Sequence, residues 1–298
     1  MFTQFFGNFL LKKGVIDAEQ LLTILQNQNN VKIKLGTLAM CEGYMTASEV
    51  EKIHILQTHV DKKFGELAIE EGYLTPEQVD ELCTAQRPDY LTFGQALVDG
   101  GYVTSHQLED LMIDYQSEHE IEEGDLNDSQ KDSVSVLVND VYTFDEFDSS
   151  AGCVNYITLL FNNLIRFIGK DFTPLDAQVL PEYATKNCTY QNIQGDLKMF
   201  TAIDMDVATS IEFASRYMGK SMDEYDEYIE ASVEDFLNLH NGLFSVNMSN
   251  DVGIELDLDP LGHIEDSIIS LDSIVFYIPV IFPFGTVNFL LSPNVFKG

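Results

Sequence analysis

The chain has 298 residues, enough for about two domains, and its apolar share of 45% can fill cores of ordinary size. Its 16 basic and 49 acidic residues give a net charge of −33, which argues against charge-driven binding to nucleic acid or anionic lipid. The excess is acidic in every segment: −9 over residues 1–116 (8 basic, 17 acidic), −10 over 117–150 (1 and 11) and −14 over 151–298 (7 and 21).

Residues 1–116 repeat themselves four times at a spacing of 29 residues. The units open at Phe6-Gly7, Leu35-Gly36, Phe64-Gly65 and Phe93-Gly94, and a second glycine follows at Gly14, Gly43, Gly72 and Gly101. Each unit then shows a capping box: Asp17 with Gln20, Thr46 with Glu49, Thr75 with Gln78, Thr104 with Gln107. The pattern predicts a short helix, a glycine C-cap, a tight turn and a longer helix. Leu21/Leu25, Val50/Ile53, Val79/Leu82 and Leu108/Leu111 supply an inner face that one unit cannot bury alone, so the units must stack or pair.

These units resemble MshEN-type domains, also found at the N-termini of type II secretion ATPases. Gln28, Gln57 and Gln86 fall at the expected ends of three units. Some members of that family bind cyclic di-GMP, and the resemblance then points to Lys34, Gly36, Lys63 and Gly65 as nucleotide contacts. Nucleotide-binding members usually carry an arginine two residues before the first glycine. Here those positions are Phe5, Lys34, Lys63 and Thr92. Lysine meets a phosphate but offers no flat, bidentate fork to a guanine. The other reading of the repeats is a domain for protein contact or dimerisation.

Residues 117–150 read as an acidic linker, with a solvated tether over 117–132. Val134, Val136 and Val138 alternate with polar residues and suggest a short strand or docking segment.

Residues 151–298 mix helices and strands. A helix over 151–172 carries Val154, Ile157, Leu160, Leu164 and Ile168 on one face and stops by Gly169 and Pro174. Thr189 to Asp206 predicts two strands about Gln194-Gly195-Asp196. A helix follows from Val207 to Met218, capped by Asp206 or Thr209 and closed by Gly219. A long helix comes next, with Tyr225, Ile229, Val233, Phe236, Leu239, Leu243 and Val246 as its expected buried stripe. Ile254 to Leu258 is a strand stopped by Pro260. Ile274 to Leu291 has nearly the length of a membrane span, but Pro279, Pro283, Gly285 and Asn288 break it, so it reads as strands joined by a turn. The whole predicts an α+β chain: an all-α repeat domain, then a mostly antiparallel sheet with helices on one face.

Beside the apolar stripe of the long helix, Ala231, Asp235, Asn238 and Gly242 share one narrow face at about 100° per residue. A carboxylate and an amide thus project together, flanked by small residues. Such a pair three apart is commonly just a solvated face.

The order and spacing over about 151–292 resemble chemotaxis phosphatases of the CheX/CheC type. The matching pieces are Ala214-Ser-Arg-Tyr-Met-Gly219, an acidic gap, and Asp235-x-x-Asn238-x-x-x-Gly242. That family shows Glu where this chain has Asp235. Glu234 is adjacent but turned about 100° away. A single motif favours the CheX-like, one-site type. The resemblance implies a phosphatase for the aspartyl phosphate of a CheY-like response regulator. Asn238 would orient the attacking water and Asp235 would hold a lysine of the partner, with Ala231, Glu234 and Gly242 in contact with it. The Mg²⁺ would be the regulator's, and the enzyme would need no cofactor of its own. It also implies a homodimer through the C-terminal sheet edge. The alternative is a pseudophosphatase adaptor that binds a regulator, or cyclic di-GMP through its repeats, without turnover.

The four cysteines are scattered and the six histidines lack metal-ligand spacing, so free thiols and no metal site are expected. The N-terminal apolar stretch precedes Lys12 and Lys13 rather than following them, unlike a signal peptide, and the expected location is cytoplasmic.

Overall fold

A computed structural model describes residues 3–28, 31–84, 89–118, 138, 142 and 150–296. The chain divides into two compact units, Met1–Glu123 and Gly124–Gly298.

Among the described residues the elements of the first unit are all helices: α1 Thr3–Lys12, α2 Ala18–Asn27, α3 Leu35–Cys41, α4 Ala47–Gln57, α5 Phe64–Glu70, α6 Pro76–Thr84, α7 Asp89–Asp99 and α8 Ser105–Glu118. These are the four predicted helix pairs. Gly14, Gly43, Gly72 and Gly101 all take positive φ, between 68° and 77°, the left-handed cap that glycine enters without a Cβ clash. The predicted capping boxes form. In the second unit of the repeat, Thr46 N donates to Glu49 Oε2 at 2.8 Å while Glu49 N donates to Thr46 Oγ1 at 3.4 Å. The repeats pair as their apolar faces require. Phe6 and Phe9 of the first meet Phe93 and Tyr115 of the fourth edge-on. The second and third share a core of Leu38, Val50, Ile53, Leu67, Leu74 and Leu82.

The second unit is built on one antiparallel sheet. It includes the helices α9 Ser150–Phe167, α10 Val207–Met218 and α11 Glu227–Asp251. Its strands are β1 Thr173–Pro174, β2 Gln178–Ala184, β3 Asn187–Gly195, β4 Met199–Asp204, β5 Leu256–Leu258, β6 Gly262–Glu265, β7 Ile268–Phe282 and β8 Gly285–Ser292. The order is β1-β7-β8-β4-β3-β5, with β2 also on β7 and β6 also on β3. The apolar run from Ile274 to Leu291 is therefore a hairpin, with Phe282 opposite Gly285. No helix among the described residues is long and apolar enough to cross a membrane. Strands β1, β2 and β6 carry no clear alternation and were not anticipated. Pro181 in β2 sits where the register with β7 shifts, a bulge that tolerates its missing N–H.

Helix α11 packs on the sheet face that carries Gln191 of β3 and Thr201 of β4. The opposite face buries Cys188, Phe200, Ala202, Val275 and Leu290. Val138 and Tyr142, inside the interval read as linker, are buried in this unit. Tyr142 donates to the Leu175 carbonyl at 2.8 Å, and its ring lies 6.1 Å from Phe161. Val138 is helical rather than in the expected strand, and Val134, Val136 and most of the expected tether lie outside the described residues. Cys41, Cys83, Cys153 and Cys188 carry free thiols.

Candidate functional site

The asparagine–aspartate face begins with how α11 is seated. Asp226 caps it, accepting from Tyr228 N and Ile229 N, a well-placed carboxylate at a helix N-terminus. From there the buried residues are Ile229, Ser232, Val233, Phe236, Leu237, His240, Asn241, Phe244 and Met248. Of the expected stripe, Ile229, Val233 and Phe236 are buried, whereas Tyr225 precedes the helix and is half-buried and Leu239 is half-buried. Leu243 is 37% exposed and Val246 56% exposed, while His240 and Asn241 are buried in their place. Asn241 finds partners inside for its carbonyl and its amide, and His240 Nδ1 meets Asn163, whereas His240 Nε2 is buried with no hydrogen-bond partner, so burying Asn241 carries little penalty and burying His240 is only half compensated.

The partners form one network. Tyr156 donates its hydroxyl to Asn241 Oδ1 at 2.8 Å. Asn241 Nδ2 donates to Gln191 Oε1 and to Thr201 Oγ1, both at 2.9 Å. Gln191 Nε2 in turn donates to Asn238 Oδ1 at 3.0 Å and to the Asp259 carbonyl at 2.9 Å. Asn163 Nδ2 lies 3.0 Å from His240 Nδ1. Burial pushes the His240 imidazole down to about 3, so the ring is neutral and accepts from Asn163.

The consequence appears at the surface. Ala231, Asp235 and Asn238 are exposed and Gly242 half-exposed, on one face as expected. Asn238 is held from below: its carbonyl is engaged by Gln191, which leaves the amide N–H groups and one carbonyl lone pair facing outward. Asp235 is held from the side, because Tyr217 of α10 donates its hydroxyl to Asp235 Oδ2 at 2.6 Å. Partial burial first, then this carboxylate, pushes the Tyr217 phenol well above its usual range, so it remains a donor. Glu234 is half-buried on the flank. A methyl added at Gly242 would meet no atom of the protein within 4 Å. Glycine in a helix interior costs roughly 1 kcal/mol relative to alanine, and here no internal contact requires it.

Gln191, Tyr217 and Asn241 were missed by sequence reading. Only one signal pointed to them: the polar pair His240-Asn241 inside an otherwise apolar helix face.

The four repeat residues are placed differently. Lys34 forms an ion pair with Asp99 at 2.6 Å, and Gln95 accepts from both Lys34 N and Thr37 Oγ1, at 3.2 and 2.6 Å. Lys63 is exposed at the start of α5. Gly36 and Gly65 are buried against neighbouring helices: a Cβ would lie 2.7 Å from Val50 Cγ1 at the first, and 3.1 Å from Leu35 Cδ2 and Val79 Cγ1 at the second. Beside Asp99 is a hollow of about 240 Å³ lined by Thr23, Ile24, Asn27, Ala96 and Tyr102 among others. A carboxylate is the charged group in that lining, which suits an anionic ligand poorly.

No protein-family model matches the chain, and no curated protein does. Solved structures similar to it include a chemotaxis protein CheX from Desulfovibrio desulfuricans, at 15% identity over 48% of this chain and 98% of that one, with a TM-score of 0.41. A CheC-like superfamily protein from Shewanella is similar at 16% identity over 47% and 95%, TM-score 0.42. A structure of the CheX–CheY–BeF3–Mg²⁺ complex from Borrelia burgdorferi is similar at 14% identity over 46% and 94%, TM-score 0.38.

Proposed function

We propose that the C-terminal unit removes phosphate from the aspartyl phosphate of a CheY-like response regulator, with Asn238 and Asp235 as its working pair. The observation that carries this reading is the outward presentation of an asparagine whose carbonyl is tied to Gln191, beside an aspartate tied to Tyr217. Both groups are fixed before any partner arrives, and pre-organisation is what a positioning catalyst must supply.

An acyl phosphate is already reactive, so hydrolysis needs a water held in line more than it needs a nucleophile. The Asn238 amide donates to phosphate or water while its remaining lone pair accepts from the water. Asp235 accepts from a lysine of the partner and sets the docking register. Gly242 and Ala231 let the partner's surface approach the helix closely, and the exposed Leu243 and Val246 border the same face with apolar area. The Mg²⁺ of the reaction belongs to the phosphorylated partner in this scheme. The motif Asp235-x-x-Asn238-x-x-x-Gly242 resembles that of the CheX/CheC phosphatases, which selects this reaction among those an amide–carboxylate pair could serve.

The test is phosphate release from an acetyl-phosphate-loaded CheY-like regulator of the same organism. The wild-type chain is expected to accelerate it, and Asn238→Ala to lose about 10²-fold or more while still binding the regulator. Equal, unaccelerated decay with both proteins would replace the enzyme by an adaptor that only binds. For the repeats, contact with protein is the better-supported role, since Lys34 is already paired and Gly36 and Gly65 are used in packing.

A further inference from the structure

A second group of side chains lies at the other end of α11, where it passes the sheet edge. Glu230 is in the first turns of the helix. His263 and Glu265 are two residues apart on β6 and so project from the same face of that strand. One ligand-type atom from each of the three lies within 4.8 Å of the other two. His263 Nε2 and Glu265 Oε1 are 3.3 Å apart. Two ligands on a tetrahedral ion with bonds of about 2.1 Å stand roughly 3.4 Å apart, so this pair is already at ligand spacing.

Three further observations point the same way. Glu230 and His263 border a small hollow of about 10 Å³, lined also by Asn187, Ser210 and Tyr225 among others, room for about one water-sized occupant, while Glu265 stands exposed on β6. Its carboxylates are also short of positive charge. Among the described residues neither Glu230 nor Glu265 has a lysine or arginine at ion-pair distance, and the basic group beside them is the His263 imidazole. Finally, a second layer orients Glu230. The Tyr225 hydroxyl lies 3.1 Å from Glu230 Oε1 and accepts from Asn187 Nδ2 at 2.9 Å. Asn187 is itself opposite Glu265 in the β3–β6 ladder, as Thr189 is opposite His263. Carboxylate ligands held by such outer hydrogen bonds are the normal construction of a metal site.

We infer that Glu230, His263 and Glu265 form a binding site for a divalent first-row transition metal, Zn²⁺ foremost, which pins β6 to the start of α11. An imidazole with two carboxylates and a free fourth position is a zinc-type set, whereas Mg²⁺ and Ca²⁺ take all-oxygen shells. The metal clamps the helix that carries Asp235 and Asn238 to the sheet edge five residues before that pair. The site stands whether or not the chain acts on a receiver domain. Sequence spacing could not show it, since Glu230 and His263 come from different elements.

The experiment uses the full chain, stripped with chelator, and titrates Zn²⁺ by calorimetry and Co²⁺ by visible absorption. The expected result is one tight site per chain, the intense visible bands of four-coordinate Co²⁺, and a thermal midpoint raised by Zn²⁺ but not by Mg²⁺. His263→Asn and the isosteric Glu265→Gln should each weaken Zn²⁺ at least 10-fold with unchanged far-ultraviolet circular dichroism, and Tyr225→Phe should weaken it less. Binding unchanged in both ligand variants would assign the metal to other acidic surface and overturn the site, as would the absence of Zn²⁺ binding at 100-fold molar excess. Should His263→Asn fail to fold, Glu265→Gln decides alone.

Discussion

The two units use glycine in opposite ways. In the repeats, Gly36 and Gly65 are buried where helices cross, and a single added carbon would press on Val50, Phe64, Leu35 or Val79. Their smallness is consumed inside the fold. On α11, Gly242 faces open space in the middle of a 25-residue helix, and its smallness serves nothing within the chain. The cores differ in the same sense. The repeats bury leucine, valine and phenylalanine in one another's faces, whereas α11 buries His240 and Asn241 in a polar network and leaves Leu243 and Val246 outside. A helix that hides its polar groups and exposes apolar ones beside a fixed amide is arranged for something beyond its own stability.

The largest effect that would sharpen this contrast is at Gly36. Gly36→Val is expected to destabilise the N-terminal unit by about 3 kcal/mol through overpacking, read from urea unfolding of the full chain. A neutral result would mean the helix crossing is loose, and the contrast with Gly242 would disappear.

Acidification comes next. His240 is buried neutral, with its folded pKa near 3 against about 6.5 in an unfolded chain. As pH falls through about 6.5 the unfolded state takes up a proton that the folded state refuses. Stability therefore drops by up to about 1.4 kcal/mol per pH unit, or about 2 kcal/mol by pH 5, before most carboxylates titrate. The loss would level off below about 3. Hydrogen exchange at pH 7 and pH 5 should show it in the C-terminal unit and not in the repeats, and His240→Gln should abolish it. An equal loss in both units would refute the polar-core account.

The smallest effect is at Gly242. Gly242→Ala is expected to stabilise the chain by about 0.5–1 kcal/mol through helix propensity while slowing regulator dephosphorylation about 10-fold. A stabilised variant with full activity would show that no partner comes close at this position.

The repeats were legible because everything that makes them is local. A 29-residue period, left-handed glycines and reciprocal caps each act within a few residues of chain, and the helices appeared with the expected bounds to within a few positions. The same local rules set the caps of α10 at Asp206 and Gly219, and placed Asp235 and Asn238 on one face, because helical angles do not depend on what the helix packs against. Only the tertiary structure could decide which of α11's faces goes inward. Hydrophobicity favoured Leu243 and Val246, and the hydrogen bonds of Asn241 with Tyr156, Gln191 and Thr201, joined by that of His240 Nδ1 with Asn163, reversed that choice. Those partners come from α9, β3 and β4, as many as 85 residues away along the chain, and no local pattern announces them. The same holds for strand β6, recognisable only through its pairing with β3, and for the meeting of Glu230 with His263. Local chemistry determined which residues of this chain share a helix face, and long-range polar pairing decided which face is displayed and how it is held.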